Sequence, residues 1–171
     1  MKISKEELLE FVVEVRNGKE IDYGVKRLES MPNRKLVEAI RDMEKDVAAT
    51  EIVERLYARE IVYEIEQYMD KAMLKSSKIT TEEFMAYIEE KWAQAGEEKY
   101  NLYFSGIICG RMINEYAAKK DVENVRRWLA MHEQRRSFDE HPSYIRNYFR
   151  GECFLKCGAT EEALKYLKLC Y

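Results

Sequence analysis

The sequence predicts an all-α protein of about nine antiparallel helices, arranged as stacked helix pairs. Chain breakers are few, with seven glycines and two prolines among 171 residues, while residue types with high helix propensity are abundant. Apolar residues recur with the 3.6-residue period of amphipathic helices, and no segment has the alternation of a strand. A layout of helix, short break and capped helix recurs about every forty residues, which is typical of helical repeat proteins.

Composition narrows the class of protein. Apolar residues make up 46% and charged residues 36% of the chain, which is typical of an ordered, soluble helical protein. No run approaches the roughly eighteen apolar residues that a membrane span needs, and the N-terminus lacks the apolar core of a secretory signal. We therefore expect a cytoplasmic protein that does not enter a membrane.

The four cysteines are expected to be reduced and buried, as in a protein of a reducing compartment. They are Cys109, Cys153, Cys157 and Cys170. Cys153 and Cys157 stand one helical turn apart, but the two histidines of the chain, His132 and His141, complete no zinc-type spacing with them. The sequence predicts neither a metal site nor a cofactor.

Residues 1–50 are predicted to form an N-terminal helical segment that packs on the rest of the chain. Ser4 and Glu7 form a capping box ahead of the first helix, which Asn17-Gly18 ends. Asp22 is expected to cap a short second helix that ends before Pro32, and Asn33 to cap a third. The helical pattern then runs on through residue 75, with a break expected near residues 48–50 because helices beyond about 25 residues are uncommon.

Residues 51–171 are predicted to form three helix pairs, at 51–95, 97–134 and 142–171, in one continuous domain. Thr80 and Glu83 make a second capping box, for a helix to about residue 94. The middle pair reads as helices at about 97–119 and 122–133, followed by the longest connection at 134–140. In the last pair, Pro142 begins a helix that stops at Gly158, and Thr160 opens the final helix.

The second helices of these pairs share a pattern. Residues 81–88 follow the same order as residues 160–167, and residues 122–129 fit it more loosely. In the first helices, Leu74, Tyr116 and Phe154 take equivalent places, where an apolar side chain would fill the junction between the two helices of a pair. The two upstream units are spaced by about 38 to 41 residues and have lost the glycines of the last unit.

The last unit resembles a tetratricopeptide repeat. The residues that carry the resemblance are Gly151, Phe154, Gly158, Ala163 and Leu167, which reproduce the order and spacing of that family's small, aromatic, turn and second-helix positions. Asn147 and Arg150 stand where the family usually has tryptophan and leucine. The resemblance covers residues 144–171, is weak over 51–134 and is absent from 1–50.

This resemblance implies a right-handed superhelix whose concave face, lined by first helices, grips an extended peptide or a helix of another protein. The positions that would face such a partner are Asn114, Tyr148, Glu152, Leu155 and Lys156. The alternative is that Tyr148 and Leu155 are core residues. Tyr148 and Glu152 stand where some family members place the basic clamp for a terminal carboxylate, so that type of clamp is not predicted.

The expected function is protein binding rather than catalysis, and no catalytic residue is predicted. His132-Glu133 begins like a zinc-protease motif but lacks the second histidine, and no phosphate-binding loop or nucleophile elbow is present. Nucleic-acid binding is disfavoured because acidic residues are interleaved with the arginines of the C-terminal third. The predicted partner is therefore another protein.

Two further expectations concern partners. Residues 1–100 carry 17 basic and 23 acidic side chains, so the alternative function is a single-partner helical inhibitor or immunity-type protein, with Glu51, Glu54 and Glu60 steering association.

The apolar segment 167–171 lacks the polar outer face of a terminal repeat. We expect that it either continues into further sequence or docks on a partner or a second copy, so self-association through the last helix is one expectation.

Overall fold

The computed structural model of the protein describes residues 3–43, 45–95, 106–134, 138 and 140–170. In these ranges it contains eight α-helices and no β-strand. They are α1 (Lys5–Arg16), α2 (Asn33–Asp42), α3 (Ala49–Ala72), α4 (Thr81–Ala95), α5 (Gly106–Ala118), α6 (Val122–Glu133), α7 (Ser143–Cys157) and α8 (Thr160–Leu167), with a 3-10 turn at Lys168–Cys170. The predicted all-α class is confirmed, with eight helices described rather than about nine.

The chain divides into two compact units. One contains Met1–Ile79 and Ala86–Tyr103, and the other contains Thr80–Met85 and Phe104–Tyr171. Helices α1 to α3 belong to the first unit and α5 to α8 to the second, while the division itself falls within α4. None of the described helices is both long enough and apolar enough to cross a membrane.

The core of the first unit forms where α1 packs against α2 and α3. Within each helix the buried side chains recur at intervals of one or two turns, as in any amphipathic helix. They include Leu8, Phe11, Val12, Val15, Leu36, Val37, Ile40, Ile52, Val53 and Leu56. Further along α3, the Tyr68 ring stacks on Tyr87 of α4 with centroids 3.9 Å apart. Lys91 of α4 donates to Glu64 of α3 at 2.7 Å, which fastens the same pair of helices.

The capping boxes and the glycine stop that the sequence predicts for the helix ends are confirmed. The Ser4 hydroxyl accepts from the Glu7 amide at 3.1 Å while the Glu7 carboxylate accepts from the Ser4 amide at 2.8 Å. Thr80 and Glu83 make the same reciprocal pair at 3.2 and 2.8 Å. Gly18 follows α1 with φ +74°, a backbone conformation that favours glycine. The expected break before α3 is present but lies earlier than residues 48–50, since α2 ends at Asp42 and α3 already begins at Ala49.

The predicted short helix from Asp22 to Met31 is wrong. The Asp22 carboxylate accepts from the Gly24 amide at 2.8 Å, which is a turn rather than a helix cap. Asn33 does not cap α2 either, because it is the first residue of that helix and Pro32 occupies the cap position. Its side-chain oxygen instead accepts from the Arg27 amide at 3.1 Å, and its side-chain nitrogen donates to the Val25 carbonyl. These bonds hold the segment in an irregular conformation.

The second unit is built from two helix hairpins, α5–α6 and α7–α8. Helix α5 packs against α6 and α7, α6 packs against α7, and α7 packs against α8. The largest buried side chain is that of Trp128 on α6. Pro142 precedes α7, and Gly158 ends it, as the sequence predicts. The predicted start of the middle pair near residue 97 and most of the 134–140 connection lie outside the described residues.

Candidate protein-interaction surface

The turns of the two hairpins in the second unit have the same geometry, 38 residues apart. Lys120 and Gly158 are both left-handed, with φ +61° and +84°. In both turns the amide of this residue donates to the carbonyl three residues earlier, at 3.1 and 3.0 Å. The next amide donates to the carbonyl five residues earlier, at 3.0 and 2.9 Å. This is the bonding of a helix that ends in a left-handed residue, so the backbone repeats although glycine occurs in only one turn.

The α7–α8 junction brings together the residues that carried the sequence pattern. A Cβ atom built on Gly151 would lie 2.6 Å from Leu167 Cγ and 3.3 Å from the Ala163 carbonyl oxygen. The Phe154 and Tyr166 rings stack with centroids 5.8 Å apart. Gly151 therefore lets the two helices approach closely, and Phe154 fills the junction beside it.

The α3–α4 pair does not have this turn. Helix α3 ends at Ala72, and residues 73–80 connect it to α4. Leu74 lies in this connection and is 60% exposed, whereas Phe154 is buried in the helix junction. The predicted equivalence of Leu74 with Phe154 is therefore wrong.

The five side chains predicted to face a partner are accessible to different degrees. Tyr148 and Leu155 are 57% and 54% exposed, so the alternative that they are core residues is wrong. Asn114 and Lys156 are also exposed. Glu152 is partly exposed and pairs with Lys156 one helical turn later, at 3.2 Å.

A comparison of the two hairpins at the 38-residue offset separates these side chains into two groups. One group is accessible at equivalent positions of α5 and α7, and we call it the shared face. Its members are Ile107, Asn114 and Ala118 on α5 and Ile145, Glu152 and Lys156 on α7. The two helices that carry these equivalent positions pack against each other.

The other group is exposed in the second hairpin only. Leu155 is half exposed, while Ala117, its equivalent in the first hairpin, is 1% exposed. Tyr144 and Tyr148 are likewise exposed, where the first hairpin has the partly buried Gly106 and Gly110. At these three positions the first hairpin is therefore more buried than the second. The corresponding side of the second hairpin, which we call the end face, comprises Tyr144, Tyr148, Leu155 and, on α8, the exposed Leu164.

Several charges of the second unit are paired within it. Beside the shared face, Arg111 pairs with Glu115 one turn later at 2.7 Å. Between the hairpins, Arg126 of α6 makes a bidentate pair with Glu162 of α8, at 3.0 and 2.6 Å. The Glu162 carboxylate raises the pKa of Arg126. The α6–α8 contact is therefore fixed by geometry as well as charge.

The carboxylates proposed to steer an inhibitor are already engaged. Glu51 pairs with Arg55 at 3.1 Å and Glu54 with Lys5 at 2.7 Å. Glu60 is 1% exposed, and its two carboxylate oxygens accept from the amides of Glu29 and Ser30 at 2.6 and 3.0 Å. The prediction that Glu60 belongs to an accessible acidic face is wrong, because this carboxylate holds the irregular 17–32 segment against α3.

A cavity of about 560 Å³ lies at the ends of α1 and α2, and it includes Arg16, Arg41 and Lys45 in its lining. Its cations suggest an anion site, but two helix C-termini meet there and their partial negative charge disfavours an anion. Arg16 instead donates to the Val47 carbonyl at 2.5 Å. The cavity is better explained by basic side chains that satisfy the ends of the helices.

The cysteines are poorly placed for thiolate or metal chemistry. Burial raises the pKa of Cys153 to about 12, so its thiolate is scarce at neutral pH. The Cys157 thiol contacts the Phe154 carbonyl at 3.2 Å. Among the residues whose positions are described, no group of three or more histidine, cysteine or acidic side chains is placed to hold a metal ion.

Comparisons with protein-family models, with curated proteins and with solved structures find no match to this chain. The candidate site therefore stands on the geometry of the second unit: two hairpins with one turn geometry, a shared face along α5 and α7, and an apolar end face on α7 and α8.

Proposed function

We propose that the protein is a non-enzymatic interaction module of the cytoplasm that binds a segment of a partner protein along the shared face. The observation that carries the proposal is the exposure of equivalent positions, 38 residues apart, on two first helices that pack against each other. Neighbouring helices of this kind provide a long surface for an extended peptide or a helix. Four free cysteines are typical of a reducing compartment.

The side chains of the shared face favour a partner with apolar anchors. Ile107 is 72% exposed, and Ile145 is its exposed equivalent on α7. The charges beside them are compensated within each helix, Glu152 by Lys156 and Arg111 by Glu115. We therefore expect affinity to depend on contacts with the two isoleucines and only weakly on salt, since net charge supplies little of the attraction.

Salt dependence separates this proposal from the inhibitor alternative. A protein that acts through an acidic N-terminal half would associate more slowly as salt screens its field. Binding through the shared face would keep its association rate and lose affinity when an apolar anchor is changed. The two functions therefore predict different responses to the same titration.

The test is capture of partners from lysate of the source cell, followed by binding measurements with the purified partner. Ile107→Asp and the separate variant Glu152→Arg alter the shared face. Leu74→Asp is the matched control, because Leu74 is an exposed apolar side chain in the connection before α4. We expect the two shared-face variants to lose binding with an unchanged melting temperature, and the control to retain it.

Retention of binding by both shared-face variants would contradict the proposal. Equal loss in the Leu74→Asp control would also contradict it, because the effect would then not be specific to the shared face. Strong slowing of association by salt, with no effect of Ile107→Asp, would instead favour the inhibitor alternative.

A further inference from the structure

The end of α3 and the connection that follows it combine exposed apolar and basic side chains. Six of the eight residues 71–78 are exposed, and we call this segment the α3 tip. Met73 is 73% exposed, more than any other large apolar side chain in the described part of the chain, and Leu74 beside it is 60% exposed. Adjacent apolar side chains exposed in this way are candidates for a binding surface.

The charged side chains of the α3 tip are all positive. Lys71, Lys75 and Lys78 are exposed, and none of them forms an ion pair with a described residue. Asp70 precedes the segment, and the next acidic residue along the chain is Glu82. The C-terminus of α3 adds about half a negative charge, so three lysines against this dipole and Asp70 leave a net charge of about +1.5.

Backbone hydrogen bonds hold the α3 tip in a turn. The Leu74 amide donates to the Lys71 carbonyl at 3.3 Å, and the Ser77 amide donates to the Leu74 carbonyl at 2.9 Å. The Ser77 hydroxyl accepts from the Ile79 amide at 3.2 Å. The turn therefore keeps Met73 and Leu74 exposed before anything binds, and binding does not have to order the segment.

We propose that the α3 tip attaches the protein to an anionic lipid surface. In this arrangement Met73 and Leu74 enter the boundary between headgroups and acyl chains, and the three lysines lie among the anionic headgroups. Burial of apolar side chains and attraction to anionic lipids are the two contributions that hold peripheral proteins on a membrane. Lysine suits this position because its apolar stem can lie along the acyl chains while its ammonium group reaches the headgroups.

The arrangement fits a fluid surface better than a folded partner. Met73 and Leu74 are consecutive residues at the end of a helix, so they form a convex tip rather than a groove. A protein would need a pocket of matching shape to bind such a tip, whereas lipid molecules rearrange around it. Lysine ammonium groups on flexible stems likewise match headgroups that have no fixed positions. The apolar pair and the charges therefore indicate the same occupant.

Attachment of this kind does not need a helix that spans the membrane. The proposal revises the sequence-based expectation that the chain does not enter a membrane, which considered only segments long enough to span one. It is independent of the shared face, which belongs to the second unit. Leu74→Asp remains a valid control for partner binding, because that measurement uses purified proteins and no lipid.

The first test is co-sedimentation of the full chain with vesicles of phosphatidylcholine alone and of equal parts phosphatidylcholine and phosphatidylserine. We expect the anionic vesicles to bind about tenfold more tightly, given the net charge of the tip. Added salt should weaken this binding. A chain that does not sediment with the anionic vesicles, or that binds both kinds equally, would overturn the proposal.

An apolar double variant tests the insertion. Met73→Ser with Leu74→Ser should weaken binding to the anionic vesicles about tenfold, because both side chains then lose their partial withdrawal from water. Tyr23→Ser with Val25→Ser is the matched control, since these side chains of the first unit are 53% and 57% exposed but lie outside the α3 tip. Equal loss in the two double variants would contradict insertion through the tip.

The lysines are tested by neutralisation. Lys75→Gln should weaken binding to the anionic vesicles about fivefold and leave binding to phosphatidylcholine unchanged. Lys35→Gln is the matched control, because Lys35 is an exposed lysine on α2. All of these variants change exposed side chains, so their melting temperatures should equal that of the wild type. An effect of Lys35→Gln as large as that of Lys75→Gln would show that the tip is not the contact.

A fluorescent probe tests which segment enters the lipid. In a Cys170→Ser background, an environment-sensitive dye on Ser76→Cys should shift to the blue when anionic vesicles are added, and the same dye on Lys35→Cys should not. Soluble polyglutamate is the lipid-free comparison. Binding to polyglutamate that needs Met73 and Leu74, without a dye shift on vesicles, would overturn the proposal in favour of an acidic protein partner.

Discussion

Replacing Gly151 by alanine should destabilise the second unit, although alanine is the better helix former. The added Cβ would lie 2.6 Å from Leu167 Cγ and 2.7 Å from its Cδ2, with the Ala163 carbonyl oxygen at 3.3 Å. Leu167 is half-buried between α7 and α8, and the carbonyl belongs to the backbone of α8. The methyl group therefore has to push the two helices apart or move Leu167 from its rotamer.

Two opposing effects determine the size of the change. Forcing an extra methyl group into a packed junction costs about 2 kcal/mol. Replacing glycine by alanine within a helix stabilises it by about 1 kcal/mol. We expect a net loss in unfolding free energy of about 1 kcal/mol.

Gly110 offers the matched control. It lies within α5, and a Cβ atom built on it would meet nothing within 4 Å. Gly110→Ala should therefore show the helix-propensity effect alone and stabilise the protein by about 1 kcal/mol. The two variants carry the same chemical change, so their difference of about 2 kcal/mol isolates the cost of packing at Gly151.

The assay is urea denaturation followed by circular dichroism, with the midpoint compared at constant slope. Leu167→Ala removes the group that the new methyl would strike, so in that background Gly151→Ala should stabilise the protein by about 1 kcal/mol, as Gly110→Ala does. If Gly151→Ala stabilised the protein as much as Gly110→Ala, the close approach of α7 and α8 would be refuted as the reason for this glycine.

Four further outcomes are expected. Glu60→Ala should lower the unfolding free energy by about 3 kcal/mol, since two charge-assisted hydrogen bonds are lost, and Glu60→Gln should lower it by less. An unchanged urea midpoint would refute the role of this carboxylate. Lys120→Gly should be more stable than Lys120→Ala by about 1 kcal/mol, because only glycine adopts the left-handed turn without strain; the reverse order in thermal melts would contradict that reason. Hydrogen bonds from Asn124 hold the pKa of Asp121 below its ordinary value of 3.8. The stabilisation by Asp121 is therefore complete above that value and is lost as the pH falls through the folded-state pKa. Asp121→Asn should flatten the acid limb of a stability–pH curve, and an unaltered limb would exclude this group. Among the four cysteines, alkylation followed by mass spectrometry should modify the partly exposed Cys170 before the three buried thiols. Rapid labelling of Cys153 in the folded protein would contradict its burial.

The parts of the fold that the sequence predicted well depend on neighbours in the chain. Each capping box joins residues three apart, and the end of α7 at Gly158 depends on one residue that favours a left-handed backbone. Such signals need no knowledge of tertiary structure. This is why the described boundaries of α1, α6, α7 and α8 lie close to those predicted.

The failures depend on distant contacts. The spacing of Val25, Leu28 and Met31 suggested one buried face of a helix. Leu28 and Met31 are buried, but Val25 is 57% exposed and the segment that contains them is irregular. Its conformation is held by Asn33 from the start of α2 and by Glu60 from α3. A periodic pattern of apolar residues therefore does not by itself determine the backbone conformation.

The candidate site was predictable only in part. The sequence singled out Tyr148, Glu152, Leu155 and Lys156 as one group, and all four have accessible side chains. Their division between the shared face and the end face required the burial of Ala117, which is known only from the folded structure. The repeated turn was also hidden, because Lys120 adopts a conformation that the pattern assigns to glycine.

The Glu60 carboxylate has a consequence for the order in which the first unit folds. It reaches amides 31 and 30 positions earlier in the chain, so the 17–32 segment cannot acquire these bonds until the middle of α3 has formed nearby. Closing such a loop costs chain entropy before any contact is gained. The segment should therefore order late, and its amides at Glu29 and Ser30 should exchange with solvent hydrogen only as fast as α3 detaches.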